Sequence, residues 1–251
     1  MGTIKTKGII ISENNLNDFD KILIILTPGM GKISCVAKGA RRPRSLLLGG
    51  TQLLCFADYV LYKGSNLYRM NSCDTIEVFY PIRTDIEKLE YASYITKIVR
   101  DVTEENQNSY RVLQLFLNTL YVISEKDLDL NFVVSIFKIR LLSILGFEPN
   151  IKKCANCEEK NCEFTHFSIK DNGFICENCA RQDTSSITMS KNTKSAIEYI
   201  IGSDIKKIFS FDIPEKDKKE LQLISKIYLN EKLEKEYKFE FWKKYIKKLG
   251  F

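Results

Sequence analysis

Lys21-Ile22-Leu23-Ile24-Ile25-Leu26-Thr27-Pro28-Gly29-Met30-Gly31-Lys32-Ile33-Ser34-Cys35-Val36-Ala37-Lys38 reads as two strand-like runs on either side of a turn cluster. β-Branched and leucine residues fill the first run, and Pro28 to Gly31 breaks the chain before the second, so the stretch is expected to be a β-hairpin. Upstream, residues 3–13 set Ile4, Ile9, Ile10 and Ile11 around Gly8, and a polar turn follows at Asn14, Asn15, Asn17 and Asp18. Downstream, residues 52–63 and 67–79 meet at Gly64-Ser65-Asn66, a second hairpin turn. Five strands within residues 1–80 suit a small closed barrel such as an OB-fold, and an SH3-like barrel fits the same strand count.

Pro81 ends that unit, and the apolar period changes to that of helices. Ile86, Leu89, Tyr94, Ile95, Ile98 and Val102 mark one face. Tyr110, Leu113, Leu117, Leu120 and Tyr121 mark a second, and Phe132, Ile136, Ile139, Leu142 and Leu145 a third, stopped by Gly146 and Pro149. Ser190 is placed to cap a helix running to Ile201, and Leu221, Ile224, Ile227 and Tyr228 mark another over 216–235. The expected class is α+β multidomain: an OB-fold-like barrel (1–80), then an α-helical domain (81–150 and 183–251) interrupted by a cysteine module (151–182).

That module carries the most specific chemistry. Cys154-Ala155-Asn156-Cys157 and Cys176-Glu177-Asn178-Cys179 are two C-x2-C knuckles with eighteen residues between them, the spacing of a tetrahedral zinc site. A short hairpin between them would bring the pairs together, and four thiolates leave no open position for substrate. One structural Zn2+ on Cys154, Cys157, Cys176 and Cys179 is therefore expected. Cys162 and His166, the one histidine of the chain, lie inside the loop and offer substitute ligands. Two disulfides are the rival reading, disfavoured because no signal peptide precedes the chain and because Cys35 and Cys55 sit in apolar runs.

The net charge is +6, unevenly spread: residues 1–80 hold ten Lys/Arg against six Asp/Glu, and residues 215–251 eleven against seven. Basic ends suggest polyanion contacts. The densest cluster, Lys38-Gly39-Ala40-Arg41-Arg42-Pro43-Arg44-Ser45, lies on the loop after the third strand. Lys38, Arg41, Arg42 and Arg44 would grip phosphate oxygens, with Lys32 and Lys63 extending the patch if the barrel brings their hairpins to the same side. A merely solvated loop is the plainer alternative. Tyr59, Tyr62 and Tyr68 are strand aromatics that either stack on bases or pack. The tail, with Lys243, Lys244, Lys247 and Lys248 around Phe241 and Trp242, is a further candidate for phosphate or protein contact. Catalytic motifs are missing: Gly29-Met30-Gly31-Lys32 lacks P-loop spacing, and a single histidine leaves no H-E-x-x-H and little scope for a triad. The chain is not expected to be an enzyme, and its longest apolar run, Ile22 to Leu26, is too short to cross a membrane.

The order of these parts, with Lys7-Gly8-Ile9-Ile10, Lys38-Gly39-Ala40-Arg41-Arg42-Pro43, Leu145-Gly146-Phe147-Glu148-Pro149 and Gly173-Phe174-Ile175-Cys176-Glu177-Asn178-Cys179, resembles the bacterial RecO family of recombination mediators over nearly the full length. Asp171-Asn172-Gly173 departs from it where a glycine pair is usual. The resemblance implies a protein without turnover that binds single- and double-stranded DNA and anneals complementary strands. It also implies that the protein works with RecR to load RecA onto strands covered by single-stranded-DNA-binding protein (SSB). A cytoplasmic, nucleoid-associated protein is expected. A zinc-ribbon adaptor that binds proteins rather than DNA is the alternative, and a nucleic-acid enzyme with unrecognised active groups a second.

Overall fold

The computed structural model describes residues 2–64 and 67–239. The expectations for the lysine-rich tail, with Phe241 and Trp242, and for the turn residues Ser65 and Asn66 lie outside these.

Strands β1 (Thr3–Asn15), β2 (Lys21–Thr27), β3 (Gly31–Ala37), β4 (Phe56–Lys63) and β5 (Tyr68–Glu77) close into a barrel in the order β1-β2-β3-β5-β4. Neighbours run antiparallel except β3 and β5, which are parallel where Cys35 lies beside Tyr68 and Val36 beside Arg69. This five-stranded arrangement is that of an OB-fold. β1 serves two neighbours: Thr3 to Ile9 pair with β4 and Ile9 to Asn15 with β2, with a bulge between Ile10 and Ser12. Gly8 sits where the two pairings meet, and a Cβ there would come within 2.7 Å of Ile25 Cγ2 and 2.9 Å of the Leu26 carbonyl oxygen. Alternate residues point inward, so Ile33, Cys35 and Ala37 of β3 meet Ala57, Tyr59 and Leu61 of β4 in one apolar core.

Three helices follow: α1 (Tyr80–Thr84), α2 (Ile86–Val102) and α3 (Tyr110–Glu125). Asp85 caps α2 by accepting from the Glu87 and Lys88 amides. The connection from α2 to α3 lies on the β2–β3 turn. There the Lys32 amide donates to the Glu104 carbonyl (3.2 Å), the Asn106 amide to Met30 (2.9 Å) and the Ser109 amide to Pro28 (2.9 Å). Gly31 bridges Glu105 at φ +66°, and a methyl group on it would collide with the Glu104 carbonyl. The chain divides into two compact units after Ser124. α2 and α3 thus fall in the same compact unit as the barrel. The face of α3 also shifts: Tyr110 and Tyr121 are 56% and 50% exposed, and Val112, Phe116, Thr119 and Ile123 are buried beside Leu113 and Leu120.

The second unit holds α4 (Leu130–Ile144), β6 (Phe164–Ser168), β7 (Gly173–Cys176), α5 (Glu177–Ala180), β8 (Ile187–Thr188), α6 (Lys191–Gly202) and α7 (Glu215–Lys232). α4 packs on α6 and α7, burying Phe132, Ile136, Ile139 and Leu142 as their spacing predicts. The Arg140 guanidinium donates to the carbonyls of Ile200, Ile201 and Ser203, placing positive charge at the C-terminal end of α6. Ser190 caps the other end of α6 by accepting from the Thr193 amide. β7, β6 and β8 form a small sheet in that order. Its Phe167 is fully buried, edge-on to Phe174 and, at 5.1 Å, to Tyr228 of α7. The Tyr228 hydroxyl donates to the Phe147 carbonyl (3.1 Å), so one side chain ties the sheet, α7 and the segment after α4 together. No helix among the described residues is long and apolar enough to cross a membrane.

Candidate metal centre and nucleic-acid interface

The β6–β7 hairpin returns the second knuckle to the first. Phe164 pairs with Cys176 and Ser168 with Gly173, while the Ala155 amide donates to the Phe174 carbonyl (2.7 Å). The reversal is tight. Asn172 takes φ +60°, a conformation asparagine tolerates, so the departure from the usual glycine pair keeps the turn. Gly173 lies against the Asn150 backbone with no space for a Cβ. The sulfurs of Cys154, Cys157, Cys176 and Cys179 consequently lie within 4.8 Å of one another, with Cys157 and Cys176 at 4.0 Å. Tetrahedral thiolates around zinc stand about 3.8 Å apart, from bonds of about 2.3 Å. The four residues fit a metal ion with a small inward adjustment.

The electrostatics fit as well. Burial pushes the Cys154 thiol up, but the amides of Cys157, Cys176 and Asn156 outweigh it and bring it down to about 6. Cys179 is held up by burial and by its sulfur neighbours. One thiolate thus forms readily and resists the next, a conflict that a bound cation removes. No disulfide joins any of the eight cysteines, and the knuckle sulfurs gather as one group of four rather than as two bonded pairs, which disfavours the disulfide reading. Cys162 donates to the Glu159 carbonyl (3.5 Å) and stands outside the group of four. His166 has both ring nitrogens on hydroxyls, Nδ1 on Thr165 (2.9 Å) and Nε2 on Thr188 (3.2 Å).

The basic loop leaves β3 and is fastened to the β1–β2 turn. The Gly39 amide donates to Asp20 Oδ1 (2.7 Å), the Arg41 amide to the Phe19 carbonyl (3.0 Å) and the Arg41 guanidinium to the Asn17 carbonyl (2.7 Å). Asn17 Oδ1 in turn accepts from the Phe19 and Asp20 amides. The bond from Gly39 and that from Asn17 hold the Asp20 carboxyl below the usual range, and Lys38 and Arg42 add to it. Ala40 is buried and anchors the loop, while Lys38, Arg41, Arg42 and Arg44 are exposed around it. An anchored loop presents its cations in a fixed arrangement, which reduces the entropy lost on gripping phosphate.

Two family models match the chain: "Recombination protein O N terminal" over residues 1–79 and "Recombination protein O C terminal" over residues 83–239. The chain belongs to the RecO family. The DNA repair protein RecO of Acetivibrio thermocellus is 44% identical over 237 residues, 94% of either chain. That of Alkaliphilus metalliredigens is 34% identical over 82% of this chain and 83% of its own. That of Caldicellulosiruptor bescii is 32% identical over 95% and 96%.

Not every candidate lies with the basic loop in this RecO-family chain. Lys32 stands at the opposite end of β3 from Lys38, about 20 Å away along a strand, and its Nζ donates to the Arg100 carbonyl at the end of α2 (2.9 Å). Lys63 ends β4 opposite Tyr68, at the level of Cys35 in the middle of β3. Tyr59 and Tyr68 are core residues, and the Tyr59 hydroxyl donates to the Gly50 and Cys55 carbonyls; of the three tyrosines only Tyr62, at 41%, is exposed. The sequence reading placed a polar turn at Asn17 but not its hold on the basic loop through Asn17, Phe19 and Asp20. The Asx pattern of Asn17 with its amides was the available signal.

Proposed function

We propose that this chain is a recombination mediator. It binds single- and double-stranded DNA through Lys38, Arg41, Arg42 and Arg44, with Lys63 and Lys32 as outlying cations. It anneals complementary strands and, with RecR, helps load RecA onto SSB-coated single strands. It acts by binding, without turnover, in a reducing cytoplasm that keeps its thiols free, associated with the nucleoid through DNA. The observation that carries this reading is the exposed cluster of cations fastened to the β1–β2 turn of an OB-like barrel, the loop with which such barrels meet oligonucleotides. Cations on a loop neutralise phosphates whatever the sequence, so binding is salt-sensitive and sequence-tolerant. The four sulfurs hold one Zn2+, since soft thiolates in a closed tetrahedral set suit that ion and leave it no catalytic position.

Annealing of SSB-coated complementary oligonucleotides tests the reading. The wild-type chain is expected to anneal them, and the Arg41→Ala/Arg42→Ala/Arg44→Ala variant, with unchanged metal content and circular dichroism, to fail. Annealing retained by the variant would move the DNA surface off the loop. No annealing or DNA binding by the wild type would overturn the mediator reading in favour of a protein-binding adaptor.

A further inference from the structure

We propose that Phe19 is a base-stacking platform that turns the basic loop into a site selective for unpaired strands. The inference rests on the loop being a DNA contact and adds what that contact discriminates. Phe19 is 51% exposed at the tip of the β1–β2 turn, and the Arg42 guanidinium carbon lies 5.2 Å from its ring centroid. A lone exposed phenylalanine means little. This one is pinned on both sides of its own peptide: its amide donates to Asn17 Oδ1 (2.9 Å) and its carbonyl accepts from the Arg41 amide (3.0 Å). Ring and cations therefore form one assembly, with the Arg42 guanidinium over the Phe19 ring.

Charge alone would give the opposite selectivity. A duplex carries more phosphate per length than a single strand and releases more counterions per contact, so a purely basic loop favours duplex. Bases within a duplex offer only their edges, because their faces are stacked on one another. An unpaired base offers a face, which an aromatic ring flanked by an arginine receives by stacking and cation–π attraction. Phe19 therefore supplies a term that only unpaired bases collect, while Lys38, Arg41, Arg42 and Arg44 supply the term common to all strands.

The test compares three probes of equal length: oligothymidine, a strand of abasic deoxyribose phosphates, and duplex. Phe19→Ala and Phe19→Leu, the second retaining an apolar side chain beneath Arg42, are expected to weaken oligothymidine binding on the order of 5- to 100-fold. Both should leave the abasic strand and the duplex within about twofold of wild type, and Phe19→Trp should keep the preference. Equal losses on all three probes would make Phe19 a support for the loop and overturn the inference, leaving the DNA contact standing. No loss on oligothymidine overturns it too. If the triple arginine variant binds the abasic strand as the wild type does, the loop is not the contact and both readings fall.

Discussion

Arg41 and Arg44 carry the same charge on the same loop but are held differently. Arg41 spends its guanidinium on the Asn17 carbonyl, whereas Arg44 projects into solvent. Arg44→Ala should flatten the dependence of log affinity on log salt by about 0.7 for a single strand and leave urea unfolding unchanged. Arg41→Ala should do the same and also cost about 1 kcal/mol of stability, the net worth of a bond to a backbone carbonyl. Lys138 of α4 is a different residue-scale case: only 4% exposed, it is lowered by burial, and by the charge of Lys226, from 10.5 to about 8. The unfolded chain binds this proton more readily than the folded one, so stability should rise as pH increases from about 8 to 10.5 and gain up to about 3 kcal/mol. Chemical denaturation across that range checks it, and Lys138→Met should remove the rise. Residues were legible to differing degrees. Each knuckle, and the basic run, is made of residues close together in the chain and could be read directly. Tyr59 could have been placed by parity, because it shares a face with Ala57 and Leu61. Phe19 could not, because what gives it meaning is hydrogen bonding to a loop about twenty residues further on.

At the scale of elements, β3 has a short seam with β5, two residue pairs, and the start of its edge meets the α2–α3 connection instead. That edge is covered by backbone: Glu104 and Glu105 approach Gly31 and Lys32 through main-chain groups. Such contacts leave no side-chain pattern, which is why the strands were readable from their apolar runs between turns while the attachment of α2 and α3 to the barrel was not. Gly31 is the point where the approach is closest. Gly31→Ala combines a positive φ with a collision, and should destabilise the first unit by about 2 kcal/mol or more. Urea unfolding followed by tyrosine fluorescence would register it; a change below about 0.5 kcal/mol, the range of an ordinary surface substitution, would show that the connection yields without cost.

For the molecule as a whole, two compact units carry the two candidate chemistries, the basic loop on the first and the four-thiol cluster on the second. A structural thiolate site contributes ~10–16 kcal/mol of apparent binding free energy, which becomes folding free energy when no site exists in the unfolded chain. Stripping the metal, or Cys176→Ser, should therefore release the sheet and loosen α7 through Phe167 and Tyr228 while the barrel keeps its core. Hydrogen exchange resolved along the sequence is the check: fast exchange over 150–190 and in α7, with protected amides in β1 to β4. Simultaneous loss in the barrel would contradict it, and so would protection unchanged throughout. The four sulfurs, finally, are unequal in access. Cys154 is sealed, Cys176 nearly so, Cys179 half-covered, and Cys157 alone is exposed. A competing chelator or an oxidant would reach the Cys157 sulfur first, so for an ion held there the lifetime and the tightness of binding would be governed by different residues. The sealed side would set how firmly an ion is held, and Cys157 how quickly it could be exchanged.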